Sequence, residues 1–149
     1  MTRAGVLDTI DTLLSSSVSG MDPAFVGVSR GEPLSIPALP WVAFWLSGLS
    51  VIPEMRTLGD ESTITNITVR SFHPTSIETG SAEKINLEVW NAISGIRSAL
   101  LSDASLSDNA SQIQINDATV ETSEINGVYY VQTTQTIDVW ILGDTTITP

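Results

Sequence analysis

The longest run of alternating side chains lies near the end of the chain, between Val128 and Leu142. Alternation with a period of two is typical of a half-buried β-strand. Asn126-Gly127 precedes the run and favours a tight hairpin, because both residues tolerate positive φ. We therefore predict an antiparallel hairpin that joins this strand to a strand over Gln112–Glu124. One face of the last strand carries Tyr129, Val131, Thr133, Gln135, Ile137, Val139 and Ile141, and the other carries Tyr130, Gln132, Thr134, Thr136, Asp138 and Trp140.

Two other segments show the three-to-four spacing of amphipathic helices. The first is predicted over Ala4–Val18, with an apolar stripe of Val6, Leu7, Ile10, Leu13, Leu14 and Val18. The second is predicted over Ser81–Leu101, with a stripe of Ile85, Val89, Ile93, Ile96 and Leu100 that Trp90 widens. Ser81 is a suitable N-cap for it, and Glu83 in its first turn complements the helix dipole.

The middle of the chain contains the apolar run Trp41–Leu46, which continues to Val51-Ile52 between two prolines. Aromatic and β-branched residues dominate it, so we interpret it as a strand. A short buried helix with Pro40 in its first turn is the alternative, since periodicity alone does not separate the two. The other predicted pieces are an extended segment at 24–28, a polar turn at 57–62 and a strand over Ile64–Phe72.

Both faces of the Trp41–Leu46 strand are apolar, so both need cover. Trp41, Ala43 and Trp45 form one face, and Val42, Phe44 and Leu46 form the other. Two helices hardly cover two faces. Either an internal core accounts for all these side chains, or the Pro-rich segment or another subunit covers one of the faces.

These elements predict one α+β domain over residues 1–149. Its expected architecture is one mostly antiparallel sheet of about four to five strands, with the two amphipathic helices packed on one face.

Charge and composition exclude several classes of protein. The net charge of −11 and the presence of just six basic residues argue against binding to nucleic acid or to an anionic membrane, since phosphate binding depends on Lys and Arg. No apolar run approaches the ~20 residues that span a bilayer. There is no cysteine and one histidine, His73, which makes zinc binding improbable. We expect no membrane association, no metal and no cofactor.

The sequence also offers little for catalysis. His73 precedes Pro74 at a predicted strand end, and we expect it in a turn or at the surface. No nucleophile elbow or phosphate-binding loop is present. We therefore predict that the chain is not an enzyme. A small hydrolase or ligand-binding domain that uses His73 with a carboxylate is the alternative from another class.

The order of elements resembles that of the tail terminator, or tail completion, proteins of long-tailed bacteriophages. The resemblance covers nearly the whole chain and rests on pattern rather than on an invariant motif. The matching stretches are VLDTIDTLL (6–14), GEPLSIPALPWVAFW (31–45), ITVRSF (67–72), INLEVWNAISGIRSALLSD (85–103) and INGVYYVQTTQTIDVWI (125–141).

The resemblance implies a structural virion protein that assembles in the host cytoplasm and remains in the tail. Its copies form a ring, usually a hexamer, that caps the head-proximal end of the tail tube and ends tube polymerisation. The ring docks to the head–tail connector proteins, and the genome passes through its lumen without specific binding. A head-closure or head–tail adaptor subunit is the alternative. The candidate residues for a subunit interface are Trp41, Phe44, Trp45, Arg56, Arg70 and Trp140.

Overall fold

The computed structural model describes residues 3–17, 24–51, 61–75, 81–103, 106 and 110–144. These residues form two helices and one mostly antiparallel sheet, which confirms the α+β fold class. The sheet has six strands, somewhat more than the four to five expected. In chain order the elements are α1 (Arg3–Ser17), β1 (Gly27–Arg30), β2 (Trp41–Val51), β3 (Glu61–His73), α2 (Ala82–Leu101), β4 (Gln112–Ile115), β5 (Thr119–Ile125) and β6 (Val128–Asp144).

The sheet has the order β1-β2-β3-β6-β4. β5 follows β4 end to end along the same edge of β6, so that β4 pairs with residues 137–140 of β6 and β5 with residues 128–134. β1 pairs with β2 in parallel, and all other pairs are antiparallel. The register of β2, β3 and β6 places alternate side chains of each strand on one of two faces. We call the face under α1 and α2 the helix face, and the opposite side the open face.

The main core lies between the helix face and the two helices. Val6, Ile10 and Leu14 of α1 and Ala92, Ile96 and Leu100 of α2 meet buried side chains of the sheet. Those on the sheet are Val42, Phe44, Ile67, Val69, Ile137, Val139 and Ile141. Most of the apolar positions predicted from spacing are therefore buried or half-buried. The prediction that Trp90 widens the second stripe is wrong, because its side chain is 51% exposed, and Val18 lies outside the described residues.

Local signals explain how several elements begin, end and attach. The Ser81 Oγ accepts a hydrogen bond of 3.2 Å from the Lys84 backbone N–H, which confirms this N-cap. Asn126 and Gly127 have φ values of 53° and 81°, which confirms the tight turn before β6. Arg30 of β1 binds Asp8 of α1 at 2.7 Å and Asp11 at 3.2 Å, so one side chain joins the first helix to the sheet edge.

The structure confirms that the run from Trp41 to Val51 is a strand, so the helical alternative is wrong. It corrects two predictions about strand boundaries. Residues 61 and 62 belong to β3, whereas the turn had been expected to include them; residues 57–60 lie outside the described part. The predicted strand over 112–124 is divided into β4 and β5. Arg97 of α2 donates to the backbone carbonyls of Ile115 and Asn116 at this break.

Candidate functional site: the open face of the sheet

The chain covers one end of its own open face. Ile36 and Leu39, from the segment between β1 and β2, pack against a small buried cluster of Ala43, Phe72 and Tyr130. The Phe72 and Tyr130 rings meet edge to face, with centroids 6.2 Å apart. The Pro-rich segment therefore supplies part of the cover that the two-sided apolar strand required.

Trp41 is held by its own chain. Its indole Nε1 donates a hydrogen bond of 3.0 Å to Ser29 Oγ on the neighbouring strand β1. Its ring lies so close to Gly27 that a Cβ on that residue would sit 2.5 Å from ring carbons. Glycine is required at this point of β1 because the ring occupies the space of a side chain.

Trp45 and Arg70 form the aromatic and cationic centre of the open face. Both side chains are half-buried. The Arg70 guanidinium carbon lies 5.1 Å from the centroid of the Trp45 ring, within range of a cation–π contact. The Arg70 Nε also donates to Thr134 Oγ1 at 3.1 Å, so neighbours on both sides fix this arginine.

Farther along the open face, an amide–carboxylate network lies beside Trp140. Asn66 Nδ2 donates to one carboxylate oxygen of Asp138 at 2.6 Å, and Asn116 Nδ2 donates to the other at 3.3 Å. Trp140 is half-buried on the next open-face position of β6 and pairs with Ile64. The open face thus combines indole rings with hydrogen-bonding side chains, a composition typical of interaction surfaces.

The structure contradicts one of the candidate interface residues and does not describe another. Phe44 has no accessible surface, because it points to the helix face and packs in the main core. It therefore presents nothing to a neighbouring subunit. Arg56 lies outside the described residues. The structure brings Trp45 and Arg70 together and places Trp41 and Trp140 on the same face.

The prediction for His73 is wrong, because its side chain is fully buried. β3 extends to this residue, so the inward alternation of Val69 and Ser71 continues to it and places its ring under α2. The His73 Nε2 lies 2.9 Å from Ser71 Oγ, which is hydrogen-bonded in turn to Thr133 Oγ1. The alternation of the buried residues Ile67, Val69 and Ser71 extends to His73, so this pattern predicts a buried histidine. Pro74 ends the strand one residue later than the sequence analysis placed its end.

A carboxylate completes this buried line. The His73 Nδ1 lies 3.5 Å from Oε2 of Glu88 on α2. Burial lowers the pKa of His73 to about 4 and raises the pKa of Glu88, against which Lys84 acts in the opposite direction. His73 is therefore neutral at pH 7, and neither its Nδ1 nor Glu88 Oε2 has a hydrogen-bond partner among the described residues.

The order serine, histidine, glutamate matches that of a hydrolytic triad, but its placement does not. Ser71 and His73 have no accessible surface, and both stand on a regular strand beneath a helix. A nucleophile must reach its substrate, so this arrangement offers no working serine. Its hydrogen bonds join β3 to β6 within the core, and Glu88 of α2 lies next to them.

In the described part of the chain, no three His, Cys, Asp or Glu side chains are grouped to hold a metal ion. None of the helices described is long and apolar enough to cross a membrane. No protein-family model matches this sequence, and no curated protein matches it.

Proposed function

We propose that this chain is a structural virion protein whose copies form a ring, with hexamers as the expected assembly. The ring caps the head-proximal end of a phage tail tube, ends tube polymerisation and docks to the head–tail connector. Genomic DNA passes through the lumen. The protein acts by assembly and carries out no reaction.

The open face is the observation that carries this proposal. Half-buried Trp45 and Trp140 stand there beside Arg70 and the Asp138 network, while the two described helices pack on the other face. Tryptophan and arginine are the residues that most often contribute the binding energy of protein interfaces. A surface of this composition favours a role in binding other proteins.

The element order and the charge support the same proposal. The order of a first helix, a strand pair, a long helix and a final hairpin agrees with the one implied by the resemblance to tail terminators. The net charge of −11 repels phosphate, which suits a ring through which DNA moves without being held.

The test begins with the native mass. We expect light scattering on a size-exclusion column to give a closed oligomer, and electron microscopy to show rings with a central channel. Added to polymerising tail tube subunits, the rings should shorten the tubes. The proposal would be overturned by a protein that stays monomeric over a wide range of protein concentrations and leaves the length of the tubes unchanged.

Matched tryptophan variants locate the surface involved. Trp45→Ala/Trp140→Ala should lose the capping of tubes, because it removes both rings from the open face. Trp90→Ala should keep it, because Trp90 lies on α2, 51% exposed on the other side of the molecule. Immunogold labelling of whole particles separates this role from that of a head-closure or adaptor subunit, since those lie at the head rather than on the tail tube.

A further inference from the structure

The solvent side of α2 carries a second apolar stripe, apart from the one that the core buries. Leu87, Trp90 and Leu101 are 59%, 51% and 54% exposed. With Ser94 between them they recur three, four and seven residues apart, which is the spacing of a coiled-coil seam. A helix that only covers a sheet needs one apolar stripe, so this spacing indicates a second helix as a packing partner. We call Leu87, Trp90, Ser94 and Leu101 the outer seam.

The solvent side of α2 is also uncharged along most of its length. Beyond the first turn, the exposed residues of α2 are apolar side chains, serines and asparagines: Asn86, Leu87, Trp90, Asn91, Ser94, Ser98 and Leu101. The whole chain carries a net charge of −11, so two copies repel each other wherever their acidic surfaces meet. The outer seam is therefore a surface at which two copies of this chain approach with little repulsion.

The outer seam faces away from the acidic first helix. Arg97 comes seven residues after Trp90, close to two full turns, and therefore shares its side of α2. Its guanidinium donates to two backbone carbonyls at the end of β4, which shows that this side of α2 faces the β4 edge of the sheet. α1 lies at the opposite edge, where its Asp8 and Asp11 bind β1. These carboxylates therefore do not stand between the outer seam and a partner.

The outer seam is complementary to itself when two α2 helices pack antiparallel with Ser94 at the crossing point. Counting outward from Ser94, Leu87 of one copy meets Leu101 of the other. The Trp90 ring of one copy lies opposite Ser98 of the other, so the largest side chain faces a small one. This is the fit of knobs into holes that helix pairs require.

The charges at the two ends of α2 agree with the antiparallel direction. Lys84 lies in the first turn of the helix, and Asp103 lies in the turn that follows it. An antiparallel pair places Lys84 of one copy at the level of Asp103 of the other, and it also sets the positive end of each helix dipole beside a negative end. A parallel pair would bring like charges together at both ends.

We propose that the outer seam is a contact surface for a second copy of this chain, with the two α2 helices packed antiparallel across a two-fold axis at Ser94. The contact is isologous, since both copies contribute the same residues. It leaves the open face of each copy uncovered, so it goes beyond the ring assembly proposed above and does not depend on it. A contact of one helix on each side buries less than about 1,200 Å² in total, so we expect a weak, concentration-dependent association.

Single cysteines test the two-fold axis, because the chain contains no cysteine of its own. Under mild oxidation, Ser94→Cys should give a covalent dimer on a non-reducing gel, since the two Cα atoms at the axis come within the ~7 Å that a disulfide needs. Ser16→Cys, an exposed serine of α1, is the matched control and should give no dimer. Leu87→Cys mixed with Leu101→Cys should give a dimer that contains one chain of each. A dimer from Leu87→Cys alone, with none from the mixture, would contradict the antiparallel direction.

Analytical ultracentrifugation gives an independent test. The native mass of the wild type should double between low and high protein concentration. Leu87→Glu should lose this doubling, because it places a carboxylate in the outer seam, whereas Ser16→Glu adds the same charge on α1 and should keep it. Circular dichroism checks that each variant is folded.

The outcomes separate this contact from the proposed function. The contact would be overturned if Ser94→Cys formed dimers no faster than Ser16→Cys, or if the doubling of the mass survived Leu87→Glu. Neither result would change the capping of tail tubes. Protein that pairs through Ser94 but does not cap tubes would leave the contact intact and overturn the proposed function.

Discussion

The two faces of the sheet differ in what holds their side chains. On the helix face, Phe44, Ile67 and Ile137 are packed from above by two helices and have almost no accessible surface. On the open face, the chain buries a small cluster around Phe72 and then leaves indole rings half-buried among polar partners. The buried side chains of the helix face account for most of the stability. The open face leaves partly exposed side chains that a binding partner can contact.

The polar groups of the two faces differ as well. On the open face, Arg70 and both oxygens of Asp138 have hydrogen-bond partners. On the helix face, Nδ1 of His73, Oε2 of Glu88 and Nε2 of Gln135 are buried without one. Buried polar atoms without partners lower the free energy of unfolding, because they lose hydrogen bonds to water and gain none in the fold. This difference predicts that pH acts on the molecule through the helix face.

Adjacent residues of β2 give the sharpest test of the two faces. Phe44→Ala should lower the free energy of unfolding by about 3–5 kcal/mol, because it leaves a cavity beneath both helices. Trp45→Ala, one position along, should cost about 1 kcal/mol, since its ring is partly in water and leaves no enclosed cavity. Urea unfolding followed by circular dichroism measures both. Equal losses of unfolding free energy for the two variants would contradict the distinction between a helix face that stabilises the fold and an open face that contributes little to stability.

The second test uses pH. In the unfolded chain His73 has a pKa near 6.5, and in the folded protein about 4. Between these values the unfolded chain binds the extra proton, so the free energy of unfolding falls as pH is lowered. His73 alone contributes a loss of about 2 kcal/mol between pH 7 and pH 5. Urea unfolding at the two pH values, compared between the wild type and His73→Gln, measures this contribution.

Two variants isolate the contribution of each group to this pH dependence. His73→Gln should lose the pH-dependent fall assigned to the imidazole. Glu88 acts in the opposite direction, because its raised pKa makes the folded protein hold a proton that the unfolded chain has released. Glu88→Gln should therefore steepen the fall. The same slope in wild type and His73→Gln would show that the buried histidine does not titrate on unfolding.

Sequence predicted most of this fold because its signals were local. The Asn126-Gly127 turn, the Ser81 cap and the alternation of β6 each depend on neighbouring residues. The break between β4 and β5 was missed, since it is held by Arg97 from a helix that lies elsewhere in the chain. Periodicity correctly divided Trp41–Leu46 into two faces, but both were apolar. Only the packing of the helices shows that Phe44 belongs to the core and Trp45 to the open face.

The smallest expected effect concerns the contact between Arg70 and Trp45. A double-mutant cycle with Arg70→Met and Trp45→Ala should give a coupling energy of about 0.5–1 kcal/mol, the range of a cation–π contact at a partly exposed site. The cycle of Arg97→Met with Trp45→Ala is the matched control, because Arg97 is bound on the helix side to Ile115 and Asn116. Its coupling should be near zero. If both cycles gave the same coupling, the effect would reflect a general loss of charge rather than this contact, and Arg70 would be free to serve a partner instead.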